Sequence, residues 1–186
     1  NENYMQITKK RLIEDNTNHT FLRVDDESAG YGRSNVKSID YEMYDSVILS
    51  DYNKGWLSKS DIKYVCSKHN LVILDTKKLL GSFALKAKFV KVNSDEFERN
   101  KKIIGKKFND KLIVTLGSSG SKYMNVIYPV QRVELKSSSG SGDTFVAAFT
   151  IEYTRSRNVK KAIEYANEMA TVVVQERGVV KVGDFL

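Results

Sequence analysis

The stretch "SVILSDYNKGWLSKSDIKYVCSKHNLVILD", residues 46–75, decides how the chain folds. It begins and ends with short apolar runs, 46–50 and 71–75, that are rich in Val, Ile and Leu, as the buried strands of parallel sheets are. The segment between them has an apolar helical face and a serine N-cap (Ile62, Val65 and Cys66, with Ser58 or Ser60 as the cap). A strand, a helix and a second strand in this order predict two parallel strands joined by a right-handed crossover.

The same alternation continues towards the C-terminus. Two further apolar runs, 88–92 and 112–116, predict strands, and a helix is expected after Asn93. Two helices are expected to close the chain, one from Asp143 and one from an Asn158 N-cap to Gly178 as the C′ glycine. The pattern therefore predicts an α/β fold in three layers, with a mostly parallel sheet flanked by helices.

Three segments lie outside this alternation. Residues 5–13 and 20–25 predict a pair of extended strands apart from the main sheet, and a short helix is expected before Asp45. The strings "SKYMNVIY" and "VQRVELK" predict an antiparallel pair that turns at Pro129.

Length and composition exclude several classes of protein. The 186 residues predict one domain, 1–186, and contain no apolar run near the roughly 20 residues that span a bilayer. One cysteine and two histidines exclude a disulfide framework and a zinc site, and they suit a reducing, cytoplasmic compartment. The net charge is +7, and the densest cluster of lysines lies at 101–108, which is predicted to be a solvated helix end. No aromatic-interleaved basic motif or zinc finger supports nucleic-acid binding, and a basic surface equally suits phosphorylated small molecules.

Polar strings directly follow the predicted strands. They are "SDYNKG" (50–55), "DTKK" (75–78), "NSDE" (93–96) and "GSSG" (117–120). Ligands of open α/β sheets bind outside the carboxyl ends of the strands, so these strings predict one site. In the first string Asp51 and Lys54 are candidate substrate contacts, although a lysine there is more often a plain turn residue.

The string "SSSGSGD", residues 137–143, predicts an anion site. Its small residues stand where a strand gives way to a helix, and the first amides of a helix are unpaired and electropositive. Gly140 and Gly142 would let the backbone approach a phosphate, and Asp143 would stand beside the transferring group. The alternative is that Asp143 only caps the helix.

Two other strings have alternatives that stay open. Asn93 and Glu96 have the spacing of a capping box, but they could equally hold a water-ligated Mg²⁺ and a phosphate. Thr115, Gly117 and Gly120 could shape a turn under a nucleotide or a plain strand-to-strand turn. The G-x-x-x-x-G-K-[ST] and G-x-G-x-x-G signatures are both absent.

Taken in chain order, these segments resemble the ribokinase-type (PfkB) family of carbohydrate kinases. "SSSGSGD" matches the glycines and last aspartate of the family's Asp-Thr-x-Gly-Ala-Gly-Asp signature, and "NSDE" matches its Asn-x-x-Glu motif. "TLGSSG" matches its Thr-Leu-Gly-x-x-Gly turn, and "YANEMA" with "ERGVV" matches its adenine-side helix and loop. Within the family, "ITKKRL", "LRVDDE", "LSDYNKG" and "ILDTKK" resemble strings of the heptose-7-phosphate kinases.

The resemblance implies a role for each matching residue. Asp143 would be the catalytic base, and the amides of Gly140, Ser141 and Gly142 would form the anion hole. Asn93 and Glu96 would organise Mg²⁺ and phosphates. The residues expected to border ATP are Thr115, Gly117, Gly120 and Asn167.

The chain departs from the family pattern in two places. Ser137 stands where the family has the first aspartate of its signature, and the family's N-terminal portion, with much of the acceptor pocket, has no counterpart here. The resemblance therefore implies an ATP-dependent sugar or sugar-phosphate kinase, with a non-catalytic nucleotide-binding remnant or a fragment of such a kinase as the alternative. The unpartnered N-terminal strands would then be available to pair with a second copy of the chain.

Overall fold

The computed structural model describes residues 8–14, 20–26, 32, 34–178 and 183. At the N-terminal end, β1 (Thr8–Ile13) and β2 (Thr20–Asp26) form an antiparallel two-stranded sheet of their own. This confirms the predicted pair of extended strands. Nearly every residue of the pair is exposed, including Leu12, Phe21 and Val24. Residues 5–7 of the first predicted strand, residue 27 of "LRVDDE" and residues 179–180 of "ERGVV" lie outside the described residues.

The main sheet has six strands in the order β3-β4-β5-β6-β7-β8. Their bounds are β3 Val47–Asp51, β4 Val72–Thr76, β5 Phe89–Asn93, β6 Leu112–Thr115, β7 Ser121–Tyr123 and β8 Val126–Tyr128. The first four strands are parallel to one another, β7 pairs antiparallel with β6, and β8 pairs antiparallel with β7. The predicted runs are thus strands, and all four predicted strands belong to one parallel set.

Helices cover both faces of this sheet. Their bounds are α1 Lys59–Lys68, α2 Ser94–Asn100, α3 Ser141–Ser156 and α4 Val159–Val173. Along the central strands, alternate side chains enter two separate cores, because successive residues of a strand point to opposite faces. Val72, Leu74 and Val90 pack with α1, whereas Ile73, Phe89 and Ile113 pack with α3 and α4. The three-layer prediction is confirmed.

Aromatic packing fixes α3 on the sheet. The ring of Phe89 on β5 meets Phe149 and Tyr153 edge to face, with centroids 5.0 and 4.8 Å apart. Such pairs add roughly 0.5–1.5 kcal/mol each beyond the area they bury. The N-terminus of α3 is consequently held in a defined position relative to the end of β5.

The predicted turn at Pro129 is wrong. Residues 121–128 themselves form the hairpin β7–β8, which turns at Met124 and Asn125 with φ angles of 47° and 67°. Two consecutive left-handed residues match the right-handed twist of paired strands, so they make the tight turn that a two-residue hairpin requires. Residues 130–136 form neither helix nor strand.

The structure also corrects two helix predictions. The last helix ends at Val173, before Gly178, because its C-terminal turn is a β-branched run of low helix propensity. The short helix expected before Asp45 is instead a pair of 3₁₀ turns, Val36–Ser38 and Tyr41–Met43. Among the described helices, none is long and apolar enough to cross a membrane.

Candidate active site

A crevice of about 980 Å³ lies at the carboxyl ends of the parallel strands, beside the start of α3. The sequence-predicted residues that line it come from five different segments: Asn93, Thr115, Gly117, Gly120, Ser141, Gly142, Asp143 and Asn167. Four candidates, Glu96, Gly140, Asp51 and Lys54, are not part of the lining. Residues 130–133 and Leu135 form one wall of the same crevice, which contains both apolar and polar side chains.

The N-terminus of α3 presents backbone amides to this crevice. Gly140 is the N-cap with φ 82°, a left-handed angle that glycine adopts without strain, and its carbonyl accepts the first helical hydrogen bond from the Thr144 amide, 2.8 Å away. The amides of Gly142 and Asp143 precede that bond and so have no partner four residues back. Ser141 donates its amide to Ser138 O. The string "SSSGSGD" therefore builds the electropositive helix end that an anion site needs.

The Asp143 carboxylate is not a helix cap. It lies in the first turn of α3, where the cap residue is Gly140 and no side chain caps the helix. Both carboxylate oxygens instead accept from the hydroxyl of Tyr52, at 3.0 Å each, across 91 residues of sequence. Burial, and then the contact with Asp143, raise the pKa of the Tyr52 phenol. The aspartate is thus exposed to the crevice and is held by Tyr52, which directly follows β3.

A buried ion pair lies beneath the anion site. Lys91 Nζ donates to Asp75 Oδ2 at 2.9 Å, and both side chains are less than a tenth exposed. A Cβ atom on Gly142 would come within 3.0 Å of that amino group. The other carboxylate oxygen, Asp75 Oδ1, is buried and accepts no hydrogen bond among the described residues. A fixed positive charge therefore lies next to the unpaired amides of α3.

A second lysine connects this pair to α2. Lys77 Nζ contacts Glu96 Oε1 at 2.5 Å and lies 3.6 Å from Asp75 Oδ1. Burial lowers the pKa of Lys77, but the hydrogen bond to Glu96 and the charges of Asp75 and Glu96 outweigh it, so the pKa is raised. This lysine stays charged at the mouth of the crevice.

The string "NSDE" forms the capping box that its spacing allows. Asn93 Oδ1 accepts from the Glu96 amide at 2.8 Å, and Glu96 Oε2 accepts from the Asn93 amide at 2.9 Å. Glu96 is 2% exposed, so both of its carboxylate oxygens are engaged inside the protein. Its position is suited to orienting Lys77 and the start of α2 rather than to direct contact with a ligand.

The donors around this point fit a magnesium ion held largely by water and phosphate. Asn93, Asp95 and Asp75 line the crevice, and Asp75 Oδ1 is buried without a hydrogen bond among the described residues. Mg²⁺ prefers oxygen ligands and keeps several waters in protein sites. Within the described residues, no three His, Cys, Asp or Glu side chains cluster closely enough to form a cage for a metal.

Glycine and asparagine shape the other end of the crevice. Gly120 has φ 89°, and a Cβ atom there would lie 2.1 Å from the carbonyl oxygen of Tyr128. The same carbonyl accepts from Asn167 Nδ2 at 2.9 Å. Thr115 ends β6 just before the turn at Gly117, which also has a positive φ of 59°. The turn "TLGSSG" and the "YANEMA" helix therefore meet at one strand end.

Ser137, which replaces the family's aspartate, has a local role. Its hydroxyl accepts from the Ser139 amide at 3.2 Å, and its own amide donates to Val174 O at the end of α4. The glycine-rich loop is thereby tied to α4.

Neither of the two substrate candidates, Asp51 and Lys54, is part of the crevice lining. Asp51 is 4% exposed, and its carboxylate accepts from Thr76 Oγ1 at 2.6 Å and from Lys78 Nζ at 2.8 Å. Asp51 thus anchors the loop that follows β3. Lys54 is exposed in that loop and contributes to lowering the pKa of Asp25, after the stronger effect of Arg23. Further along the loop, Trp56 O accepts from the Ser34 amide at 3.0 Å.

Four residues of the site carried no sequence-based assignment: Tyr52, Asp75, Lys77 and Lys91. Lys91 did leave a signal, because a lysine inside a fully apolar strand is rarely buried unless it is paired. Asp75 and Lys77 stand in "DTKK", which was predicted to reach the site without a role for either residue. Tyr52 directly follows Asp51, and the string "SDYNKG" was predicted to reach the site without a role for the tyrosine.

The model of the family described as pfkB family carbohydrate kinase matches residues 6–182. Two curated relatives are the bifunctional protein HldE of Helicobacter pylori, 29% identical over 72% of this chain, and that of a Nitratiruptor species, 28% identical over 95%. The chain spans 34% and 43% of the lengths of these two relatives.

Solved structures share the fold. The ribokinase of Thermotoga maritima aligns with a TM-score of 0.68 at 19% identity, over 94% of this chain and 66% of its own. The Arabidopsis thaliana ribokinase in complex with ribose and ATP aligns with a TM-score of 0.63 at 18% identity, over 87% of this chain and 61% of its own. The fold is therefore ribokinase-like.

Proposed function

The chain belongs to the pfkB family of carbohydrate kinases, and from this we propose that it transfers the γ-phosphoryl group of ATP to a hydroxyl of a sugar or sugar phosphate. The observation that carries the proposal is the position of Asp143. This aspartate lies in the first turn of α3 and does not cap the helix. It stands beside unpaired backbone amides and close to the buried Lys91. A group that can take a proton and groups that can bind an anion are thus adjacent.

The phosphates of ATP would bind at the start of α3. The amides of Gly142 and Asp143 and the amino group of Lys91 supply positive potential at one point of the crevice. Phosphoryl transfer depends mainly on such positioning and on neutralising the charge of the moving group. Of the predicted anion hole, Gly142 has the strongest support, and Gly140 contributes as the cap that sets the helix start.

The adenine end of ATP would occupy the other half of the crevice. Val130, Val133 and Ala170 offer apolar surface there, next to Asn167 and the turn that contains Gly117 and Gly120. Flat apolar walls with a few polar groups suit a nucleobase. The Asn93 and Asp95 side chains would hold a hydrated Mg²⁺ between the two halves, and the ion would offset phosphate charge. Glu96 would support this arrangement through the α2 cap.

In the reaction, the acceptor hydroxyl would give its proton to the Asp143 carboxylate as its oxygen bonds to the γ-phosphorus. The bond from that phosphorus to the bridging β–γ oxygen breaks, and ADP leaves with the electron pair. The positive end of the α3 macrodipole lies beside this carboxylate and attracts negative charge.

A phosphorylated acceptor of the heptose-7-phosphate type suits the site best. The sequence likeness to HldE proteins supports it. The charges near the base also support it, since Lys9 on β1 and Lys77 both lie within 6 Å of the Tyr52 ring centroid. A cytoplasmic location stays a prediction.

Calorimetry with ATP and Mg²⁺, followed by phosphoryl-transfer assays with a panel of sugars and sugar phosphates, tests the proposal. We expect nucleotide binding that Glu96→Gln weakens, because the amide cannot accept from both Lys77 and the Asn93 amide. Glu98→Gln, on the exposed side of the same helix, is the matched control. Binding of ATP without turnover on any acceptor would favour the non-catalytic remnant, and absence of binding would exclude both functions.

We further propose that β1 and β2 pair with a second copy of the chain. Leu12, Phe21 and Val24 are all half exposed or more, which is costly for apolar side chains on a free strand pair. Analytical ultracentrifugation should find a dimer that Phe21→Lys dissociates. A wild-type protein that stays monomeric at high concentration would contradict this pairing.

A further inference from the structure

We propose that Tyr52 is a positioning residue that orients the carboxylate of Asp143 for proton transfer, an inference that rests on the kinase function proposed above. Among the described residues that line the crevice, Tyr52 is the one phenol, and it lies against the aspartate that would act as the base. Neither the family match nor the relatives assign a role to this tyrosine.

The contact between the two side chains is symmetric. The Tyr52 hydroxyl lies 3.0 Å from Asp143 Oδ1 and 3.0 Å from Oδ2. A single phenol proton can be donated to one carboxylate oxygen at a time. The other oxygen then keeps its lone pairs for the proton of the acceptor hydroxyl, while the rotation of the carboxylate is restricted.

Tyr52 is itself held in place. Lys9 Nζ of β1 lies 5.8 Å from its ring centroid and Lys77 Nζ lies 5.9 Å from it, both at distances of cation–π contacts. The loop is anchored by the buried Asp51, which accepts from the Asn53 amide at 3.1 Å and from Lys78. A side chain that is half exposed is thus fixed by its neighbours on several sides.

These contacts connect distant parts of the site. Lys77 is bound to Glu96 at the cap of α2, its charge lies on the Tyr52 ring, and the Tyr52 hydroxyl lies on Asp143. Lys9 brings the β1–β2 pair to the same ring. The geometry of the base therefore depends on residues from β1 and from the loops that follow β3 and β4.

Kinetics on the full-length protein test the role. Tyr52→Phe keeps the ring and its cation contacts but removes the hydroxyl. We expect kcat to fall about 10- to 100-fold, because a hydrogen bond to a charged group contributes a free energy of that order. The KM for ATP should be unchanged. In the Asp143→Asn background the same substitution should cause little further loss, because the residue through which Tyr52 acts is already disabled. Tyr44→Phe, an exposed tyrosine outside the crevice lining, should leave kcat unchanged.

A second measurement does not depend on activity. Ultraviolet titration of wild type minus Tyr52→Phe isolates the ionisation of Tyr52, and Asp143→Asn should lower its pKa by removing the neighbouring charge. Lys9, Lys77 and Asp75 also face this phenol, and all three are the same in wild type and in Asp143→Asn. A titration that Asp143→Asn does not move would show that the contact is absent and would overturn the inference.

The kinetic outcomes separate the two proposals. Two outcomes with an active wild type would overturn the role of Tyr52 and leave the kinase function standing. In one, Tyr52→Phe has an unaltered kcat. In the other, the losses of kcat from Tyr52→Phe and Asp143→Asn simply multiply in the double variant. A wild type that transfers no phosphoryl group overturns the kinase function, and the positioning role of Tyr52 with it, even where the titration shows the contact.

Discussion

The amino group of Lys91 lies 3.0 Å from the point that a Cβ atom on Gly142 would occupy. The lysine cannot easily withdraw, because it is buried and bound to Asp75 at 2.9 Å. The glycine therefore matters at this position because of a close approach to a charge, since its backbone is helical and does not itself need a glycine. A buried ammonium and the first amides of α3 consequently act on the same small volume of the crevice.

Gly142→Ala should separate folding from ligand binding. Alanine is better than glycine in a helix by roughly 0.8–1 kcal/mol, which would offset the displacement of Lys91 and leave the stability within about 1 kcal/mol of wild type. ATP affinity should fall by about tenfold or more, because the methyl group and the moved lysine both alter the phosphate site. Chemical denaturation and calorimetry measure the two effects. Gly105→Ala, where a Cβ atom meets nothing within 4 Å, should leave ATP affinity unaltered.

Asp143→Asn should abolish most turnover while leaving the fold intact. Loss of a general base lowers rates by about 10²–10⁴-fold, and asparagine has the same size and can still accept from Tyr52. Thermal unfolding and ATP affinity should change little. Steady-state kinetics that give a wild-type kcat for this variant would end the assignment of the base.

Gly120→Ala should destabilise the whole domain. The new Cβ atom would lie 2.1 Å from Tyr128 O, at a φ of 89° that alanine rarely adopts. Backbone strain alone costs about 1–3 kcal/mol, and the overlap adds to it. Gly117→Ala is the control without the overlap, since Gly117 has a positive φ of 59° but its Cβ atom would meet nothing within 4 Å. Urea denaturation should rank Gly120→Ala clearly below Gly117→Ala, and equal losses would contradict the role of the Tyr128 contact.

Cys66 should make stability fall in alkali. Burial raises its pKa from 9.0 to about 11, so above pH 9.0 the unfolded state loses a proton that the folded state retains. The stabilisation is fully present below the unfolded pKa and is lost as the pH rises towards the folded one, by roughly 3 kcal/mol in all. The difference in unfolding free energy between wild type and Cys66→Ala should shrink across this range. The tyrosines and Lys77 titrate in both proteins, so a constant difference would show that the thiol is not buried.

The sequence predicted the sheet and the glycine loop because both depend on local patterns. Apolar β-branched runs mark the parallel strands, and small residues before an acid mark the start of α3. The pairing of Asp75 with Lys91 was not predicted, since it depends on the register in which β4 lies beside β5. The contact of Tyr52 with Asp143 joins residues far apart in the sequence and depends on the whole fold. The β7–β8 turn was misplaced because its two central positions, Met124 and Asn125, are not glycines, whereas Pro129 is a strong turn signal.

The Ser34–Trp56 hydrogen bond holds the single tryptophan of the chain in the loop that carries Tyr52. Its indole is about half exposed, so its emission depends on the immediate surroundings of this loop. Light absorbed selectively by tryptophan would be re-emitted from this one place. A shift in emission wavelength or quenching on adding nucleotide or sugar phosphate would therefore report a rearrangement beside the crevice mouth, without any attached dye.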